Sequence, residues 1–176
     1  RRDVREGGSG ATGATNIARQ FGIGWAIFVT IIDISKGISA VLLTKTLLPE
    51  IEWLYGVAGI AAIIGHCYPV WIGFRGGKGV NTALGIAAVI SPVAIIFGLA
   101  AFGAAFAISK FVSVGSISAV LAYSLSILLF GGRFGAVGQG QLIFAGALPI
   151  LIIWTHRRNI RRLISGEELK PVSDRK

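Results

Sequence analysis

The chain has no methionine, one cysteine, two histidines, and only eight acidic residues against 17 Lys and Arg in 176 positions. Cys67 alone permits no intramolecular disulfide, and its place inside an apolar run marks it as a packing residue. Charged residues make up 14% of the chain and apolar residues 53%, with a mean hydropathy of +0.74. That balance excludes a soluble globular core and points to a membrane protein. The opening Arg1-Arg2, the missing methionine and the lack of a signal sequence together read as a piece of a longer protein. A further apolar helix is expected before Arg1. No internal repeat or low-complexity segment is visible, so residues 1–176 are read as one domain.

Long apolar runs fill the remainder, at about 22–48, 53–72, 83–108, 111–130 and 137–154, each near or above the roughly 20 residues that span a bilayer as a helix. Gly and Ala recur within them, as in helices that approach closely in lipid. The fold class is therefore all-α, a polytopic helical bundle. Trp25, Trp53, Trp71 and Trp154 lie near run ends, where interfacial aromatics collect.

Of the 17 basic residues, 13 fall in three segments, 1–19, 75–78 and 155–176. Apolar runs separate them, which argues against nucleic acid and for one shared inner face. Five spans would put 75–78 and 155–176 on opposite faces. Ser91-Pro92 resolves the conflict, because Pro breaks the helical ladder and splits the third run in two. About six membrane helices result, seven with the expected preceding one. Glu50 and Glu52 mark the outer face.

Residues 73–79 read Gly-Phe-Arg-Gly-Gly-Lys-Gly, a basic loop suited to an anion: the glycines let amides converge, and Arg75 and Lys78 supply charge. It is not a Walker A loop, because Ile72 stands at the first glycine and Gly79 at the Ser or Thr position. The bland alternative is a cationic connector beside headgroups. A second glycine-rich stretch, residues 7–16, carries Ser9, Thr12, Thr15 and Asn16, with Arg19 one turn beyond. A third polar segment, His156 to Glu168, holds arginines that suit a basic surface helix on anionic lipid. Lipid does not account for His156 or Asn159. Asp33 and Lys36 stand at i, i+3 within the first run and should pair or face protein.

Together these segments resemble the bacterial acyl-phosphate:glycerol-3-phosphate acyltransferases. The first motif is carried by Gly8-Ser9-Gly10, Gly13-Ala14-Thr15-Asn16 and Arg19, the second by Gly65-His66, Pro69 and Phe74 to Val80 with Thr82. The third is His156-Arg157, Asn159-Ile160, Arg162-Leu163, Gly166 and Glu168, and Asp33 and Lys36-Gly37 also fit. Ala11 stands where the family usually has Asn, and Asn81 replaces a small residue.

The resemblance implies transfer of a fatty acyl group from acyl phosphate to the 1-hydroxyl of glycerol 3-phosphate, the first acylation of phospholipid synthesis. It implies catalytic roles for Ser9, Arg19, His156 and Asn159. Substrate binding falls to Thr15, Asn16, Lys36, His66, Arg75, Gly76, Gly77, Lys78 and Gly79, and support to Asp33 and Glu168. No metal or cofactor is expected. The setting implied is a bacterial inner membrane with the site toward the cytoplasm, among membrane lipids and coupled to the enzyme that produces acyl phosphate. A small transporter for an organic phosphate is the alternative. It suits the sequence less well, because the runs after residue 82 hold only Lys110 and Arg133, both at run ends.

Overall fold

A computed structural model describes residues 3–133 and 137–171. Arg1-Arg2 and the end of the basic tail beyond residue 171 lie outside the described residues. The described chain is helix and loop: α1 (Ala14–Phe21), α2 (Ile23–Leu47), α3 (Glu52–Cys67), α4 (Val80–Ile90), α5 (Pro92–Ser109), α6 (Val112–Phe130), α7 (Gln139–Thr155) and α8 (Arg157–Ile164).

Four segments are long and apolar enough to cross a membrane: Ile23–Leu47, Glu52–Ile72, Pro92–Ser109 and Val112–Arg133. Helix α7 nearly qualifies, and α8 bends from it by 57°. The break at Ser91-Pro92 is present as expected, with Pro92 opening α5 where its missing N–H leaves nothing unsatisfied. Helix α4 has 11 residues, about 16 Å of rise, well short of a 30 Å hydrocarbon core. Against the expectation of about six membrane helices, the described residues hold six apolar helices, of which four, or five with the bent pair, are long enough to span. Four stand alone as full spans, α7 counts when joined to α8, and α4 is short.

Glycine sets the tightest helix crossings. A Cβ on Gly37 of α2 would lie 2.2 Å from the Thr82 carbonyl oxygen of α4, and one on Gly85 of α4 would lie 2.2 Å from that of Ile34 on α2. These reciprocal contacts bring Asp33 against the start of α4. Gly56 of α3 and Gly140 of α7 meet in the same way. Between the crossings lie buried Val41, Ile63, Ile86, Phe144, Leu148 and Ile152. The side chains that face outward are equally apolar, as lipid requires: Ile23, Leu43, Ile96 and Ile150 are all exposed.

The basic segments converge on one end. Thr12 N–H donates to Gly76 O (3.3 Å), and the Thr155 hydroxyl donates to Lys78 O (3.0 Å). Arg19 donates to the carbonyls of Leu169 and Lys170 at 2.9 and 3.1 Å. Glu50 and Glu52 stand at the opposite end of α2 and α3, as the charge pattern requires.

Replacing Gly85 by Ala should therefore lower stability by about 1–3 kcal/mol through overpacking against backbone that has no room to move. Gly146→Ala, at an exposed position with nothing within 4 Å, should be neutral or slightly stabilising. Thermal unfolding of the detergent-solubilised proteins compares the two, and equal melting temperatures would refute the crossing argument.

Candidate active site

The site begins with a loop that folds around one side chain. Asn16, 2% exposed on α1, donates its amide to the carbonyls of Val4, Gly7 and Ala11 and accepts from Ser9 N–H at 2.9 Å. A Cβ on Gly8, which has φ +58°, would strike the Asn16 oxygen at 2.2 Å. Asn16 thus shapes the loop that presents Ser9.

The second glycine loop departs from expectation in an informative way. Gly76 N–H donates to Cys67 O (3.0 Å) and Gly77 N–H to His66 O (3.3 Å), so these two amides satisfy the last carbonyls of α3. They are engaged there, not with an anion. The glycines are needed for close approach, since a Cβ on Gly76 would meet His66 O and one on Gly77 would meet His66 Nε2, each at 2.1 Å. Gly79, with φ +84°, then turns the chain into α4. Helix α4 has no side-chain cap, and its first residue Val80 and second residue Asn81 line the cavity described next. Its first-turn N–H groups and positive dipole end are thus left uncapped beside that cavity.

That cavity is polar, about 280 Å³, and is lined by Ser9, Thr15, Asn16, Arg19, Asp33, His66, Lys78, Gly79, His156, Asn159 and Glu168. Eleven of the fifteen site residues anticipated from sequence meet here. Arg75, Gly76 and Gly77 instead line an adjoining basic cavity of about 350 Å³ with Arg5, Arg157, Arg158 and Arg162. No acidic residue lines that second space among the described residues. Lys78, Ser9 and Asn159 border both cavities. Lys36 lines neither; its ammonium pairs with Asp33 at 3.1 Å and is half exposed. His66 Nδ1 lies 3.3 Å from the same Asp33 oxygen, so this buried carboxylate holds two partners.

Glu168 ties the third segment down. It accepts from Ser113 (2.9 Å) and Asn159 Nδ2 (2.6 Å) and pairs with Arg162 at 3.3 Å. With its NH₂ on a carboxylate, Asn159 must present Oδ1 elsewhere, and that oxygen is buried without a hydrogen-bond partner. His156 is similarly fixed. Its Nδ1 lies 2.8 Å from Ile152 O, which can only accept, so Nδ1 carries the proton and Nε2 keeps its lone pair. Burial, then the Lys78 charge, pushes the His156 pKa down to about 4. Burial likewise lowers Lys78 to about 8; Glu168 opposes the shift, while Arg162 and Arg19 add to it.

Thr30, Asn81, Ser113 and Ser116 also line the polar cavity and were not singled out as site residues from sequence. A signal was there. Thr30 precedes Asp33 by one turn, and Ser113 and Ser116 make a polar i, i+3 pair in an apolar run. Below Val80, Asn81 and Phe102, the cavity continues as an apolar groove between α4, α5 and α6.

A family model described as glycerol-3-phosphate acyltransferase matches residues 1–166. The chain belongs to that family. A glycerol-3-phosphate acyltransferase from Anaeromyxobacter sp. (strain Fw109-5) is 43% identical over 169 residues, covering 94% of this chain and 81% of the relative. One from Halalkalibacterium halodurans is 42% identical over 170 residues, with coverage of 96% and 82%. Among solved structures, PlsY (YgiH), an integral membrane glycerol 3-phosphate acyltransferase in its glycerol 3-phosphate form, superposes with a TM-score of 0.86 at 35% identity. That match covers 96% of this chain and 82% of PlsY. The lysophosphatidic acid form of PlsY gives 0.82 at 34% identity, covering 92% and 80%. The all-helical membrane fold and the acyltransferase family expected from the motifs are thereby established.

Asn16→Ala should release the first loop while leaving the helices intact. Four hydrogen bonds are lost, and three carbonyls lose a donor; at about 1 kcal/mol each, less what water recovers, the local loss is roughly 1–3 kcal/mol. Limited proteolysis should cut the variant between residues 4 and 12 at unchanged helical circular dichroism. Resistance equal to the parent would contradict the assignment.

Proposed function

We propose that this acyltransferase uses acyl phosphate as donor and the 1-hydroxyl of glycerol 3-phosphate as acceptor, yielding lysophosphatidic acid and inorganic phosphate. The observation that carries this reading is that Lys78, Ser9 and Asn159 border both cavities, which sets a cation and short polar side chains at their seam. A half-buried cation at such a seam suits a phosphate, and the hydroxyl and amide side chains beside it suit the glycerol hydroxyls. The apolar groove opening from the same space suits the acyl chain. The names of the relatives support the acceptor, and the lysophosphatidic acid form of PlsY supports the product class.

In this mechanism Lys78 and the α4 amides hold the donor phosphate, and Arg19 holds the acceptor phosphate. Ser9, Asn159 Oδ1 and His156 Nε2 orient the glycerol hydroxyls. The 1-oxygen attacks the acyl carbon directly, the bond from that carbon to the bridging phosphate oxygen breaks, and phosphate leaves with the electron pair. No acyl-enzyme forms. The donor is already an activated anhydride, so orientation and charge stabilisation lower most of the barrier. The hydroxyl proton passes to a phosphate oxygen. A phosphate monoester with its second pKa near 6 accepts it more readily than His156 at about 4. His156 acts as a neutral acceptor that aims the hydroxyl. Arg75 and the other cations of the second cavity form an aqueous vestibule for entering and leaving phosphates. The site faces the cytoplasm of a bacterial inner membrane, coupled there to the source of acyl phosphate.

The test is phosphate release from palmitoyl phosphate by the purified protein in lipid nanodiscs. Release should require glycerol 3-phosphate, match lysophosphatidic acid in amount, and fall at least a hundredfold in Lys78→Ala, as for loss of one preorganised charge contact. Acceptor-independent release, or none from folded protein, overturns the reading.

The Lys78 pKa also sets a pH limit. Its charge is present below about 8 and lost above, so kcat/KM, which reports the free enzyme, should decline as pH rises through about 8. No acid limb near 6–7 should come from His156, which is neutral throughout that range. In Lys78→Arg the alkaline decline should vanish up to about pH 10, because guanidinium stays charged.

A further inference from the structure

The groove beneath the polar cavity has a volume of about 230 Å³, and its depth can be read on two helices independently. On α4 the wall runs from Val80 to Ala87, and on α5 from Phe102 to Ile95. On α6 it is bordered by Ala119, Val120 and Tyr123. The α4 and α5 stretches each advance seven residues, about 10 Å of helix axis and the reach of about eight extended methylenes. Both start at residues that also line the polar cavity.

The slot is thin because its walls are small and close. Ala83 and Ala87 line α4, and a Cβ on Gly98 of α5 would already lie 3.1 Å from Ala119 O on α6. Tyr123, 4% exposed and edge-on to Phe144 at 6.1 Å between ring centroids, closes the deep end. Leu99 borders the slot from the lipid side, with 57% of its surface exposed. A 16-carbon chain therefore has more length than the slot encloses, and the surplus can leave only past such lipid-facing side chains.

We propose that this slot is a branch filter on the acyl donor. It encloses a straight chain to about the tenth carbon and leaves the distal carbons in the bilayer. The enzyme then rejects substituents near the acyl head and ignores those near the tail. Total length counts for little, because slot and bilayer are equally apolar and moving methylenes between them changes little free energy. A side methyl inside the walls has no such freedom, since close-packed interiors do not expand to admit it. This inference rests on the acyl-phosphate reading above.

The experiment uses the full chain in lipid nanodiscs with three donors: palmitoyl phosphate, its 6-methyl derivative and its 14-methyl derivative. The two branched isomers partition into the bilayer alike, so any difference between them arises at the protein. With the acyl carbon in the polar cavity, carbon 6 falls about level with Leu99, one turn below Phe102. The 14-methyl donor should be used within about twofold of the unbranched one, and the 6-methyl donor roughly tenfold less well or worse in kcat/KM. Leu99→Ala, which opens no buried cavity because Leu99 faces lipid, should bring the 6-methyl donor to within about threefold of the unbranched one. Equal use of the two isomers by the parent overturns the filter alone. Failure of Leu99→Ala to relieve the discrimination overturns its placement in this slot. No turnover even of palmitoyl phosphate overturns the acyl-phosphate reading, and the filter falls with it.

Discussion

Two backbone hydrogen bonds, Gly76 N–H to Cys67 O and Gly77 N–H to His66 O, fix the geometry on which the site depends. They end α3 by satisfying carbonyls that a helix inside a membrane protein cannot leave bare. They also fasten the basic loop so tightly that only glycine fits at either position. With the loop held there, Gly79 can reverse direction into α4, and Lys78 is left between two cavities. The ammonium is buried enough to lose basicity, which makes it a strong electrostatic partner for an anion that displaces water.

Around that cation the other segments are fastened by bonds between distant parts of the chain. Thr12 reaches Gly76, Thr155 reaches Lys78, and Arg19 reaches the carbonyls of Leu169 and Lys170. Glu168 collects Ser113, Asn159 and Arg162 and tempers the repulsion among the surrounding cations. Its effect extends to orientation. By taking the NH₂ of Asn159, it turns that side chain's oxygen away from the carboxylate, buried and without a hydrogen-bond partner.

The arrangement meets the physical problem of joining a water-soluble phosphate to a lipid-soluble chain. Cations and short polar side chains gather at one end of the bundle, and an apolar groove descends from the same seam. A substrate with a charged head and a hydrocarbon tail can then place its reactive carbon at the boundary without dragging charge into hydrocarbon. The glycine crossings of α2 with α4 and of α3 with α7 hold this boundary rigid.

Sequence by itself determined the membrane fold, the break at Ser91-Pro92, the shared face of the basic segments and most of the residues that meet in the site. Those features follow from hydropathy, proline chemistry and charge placement, which are local or additive along the chain. Tertiary structure alone decided which polar groups remain available. The loop amides that suggested an anion cradle are engaged by α3, Asn16 is consumed in shaping its own loop, and Lys36 stands outside the cavity, its ammonium held by Asp33 at the cavity wall. Which donor meets which acceptor depends on long-range packing at ångström precision, and neither composition nor spacing carries that information.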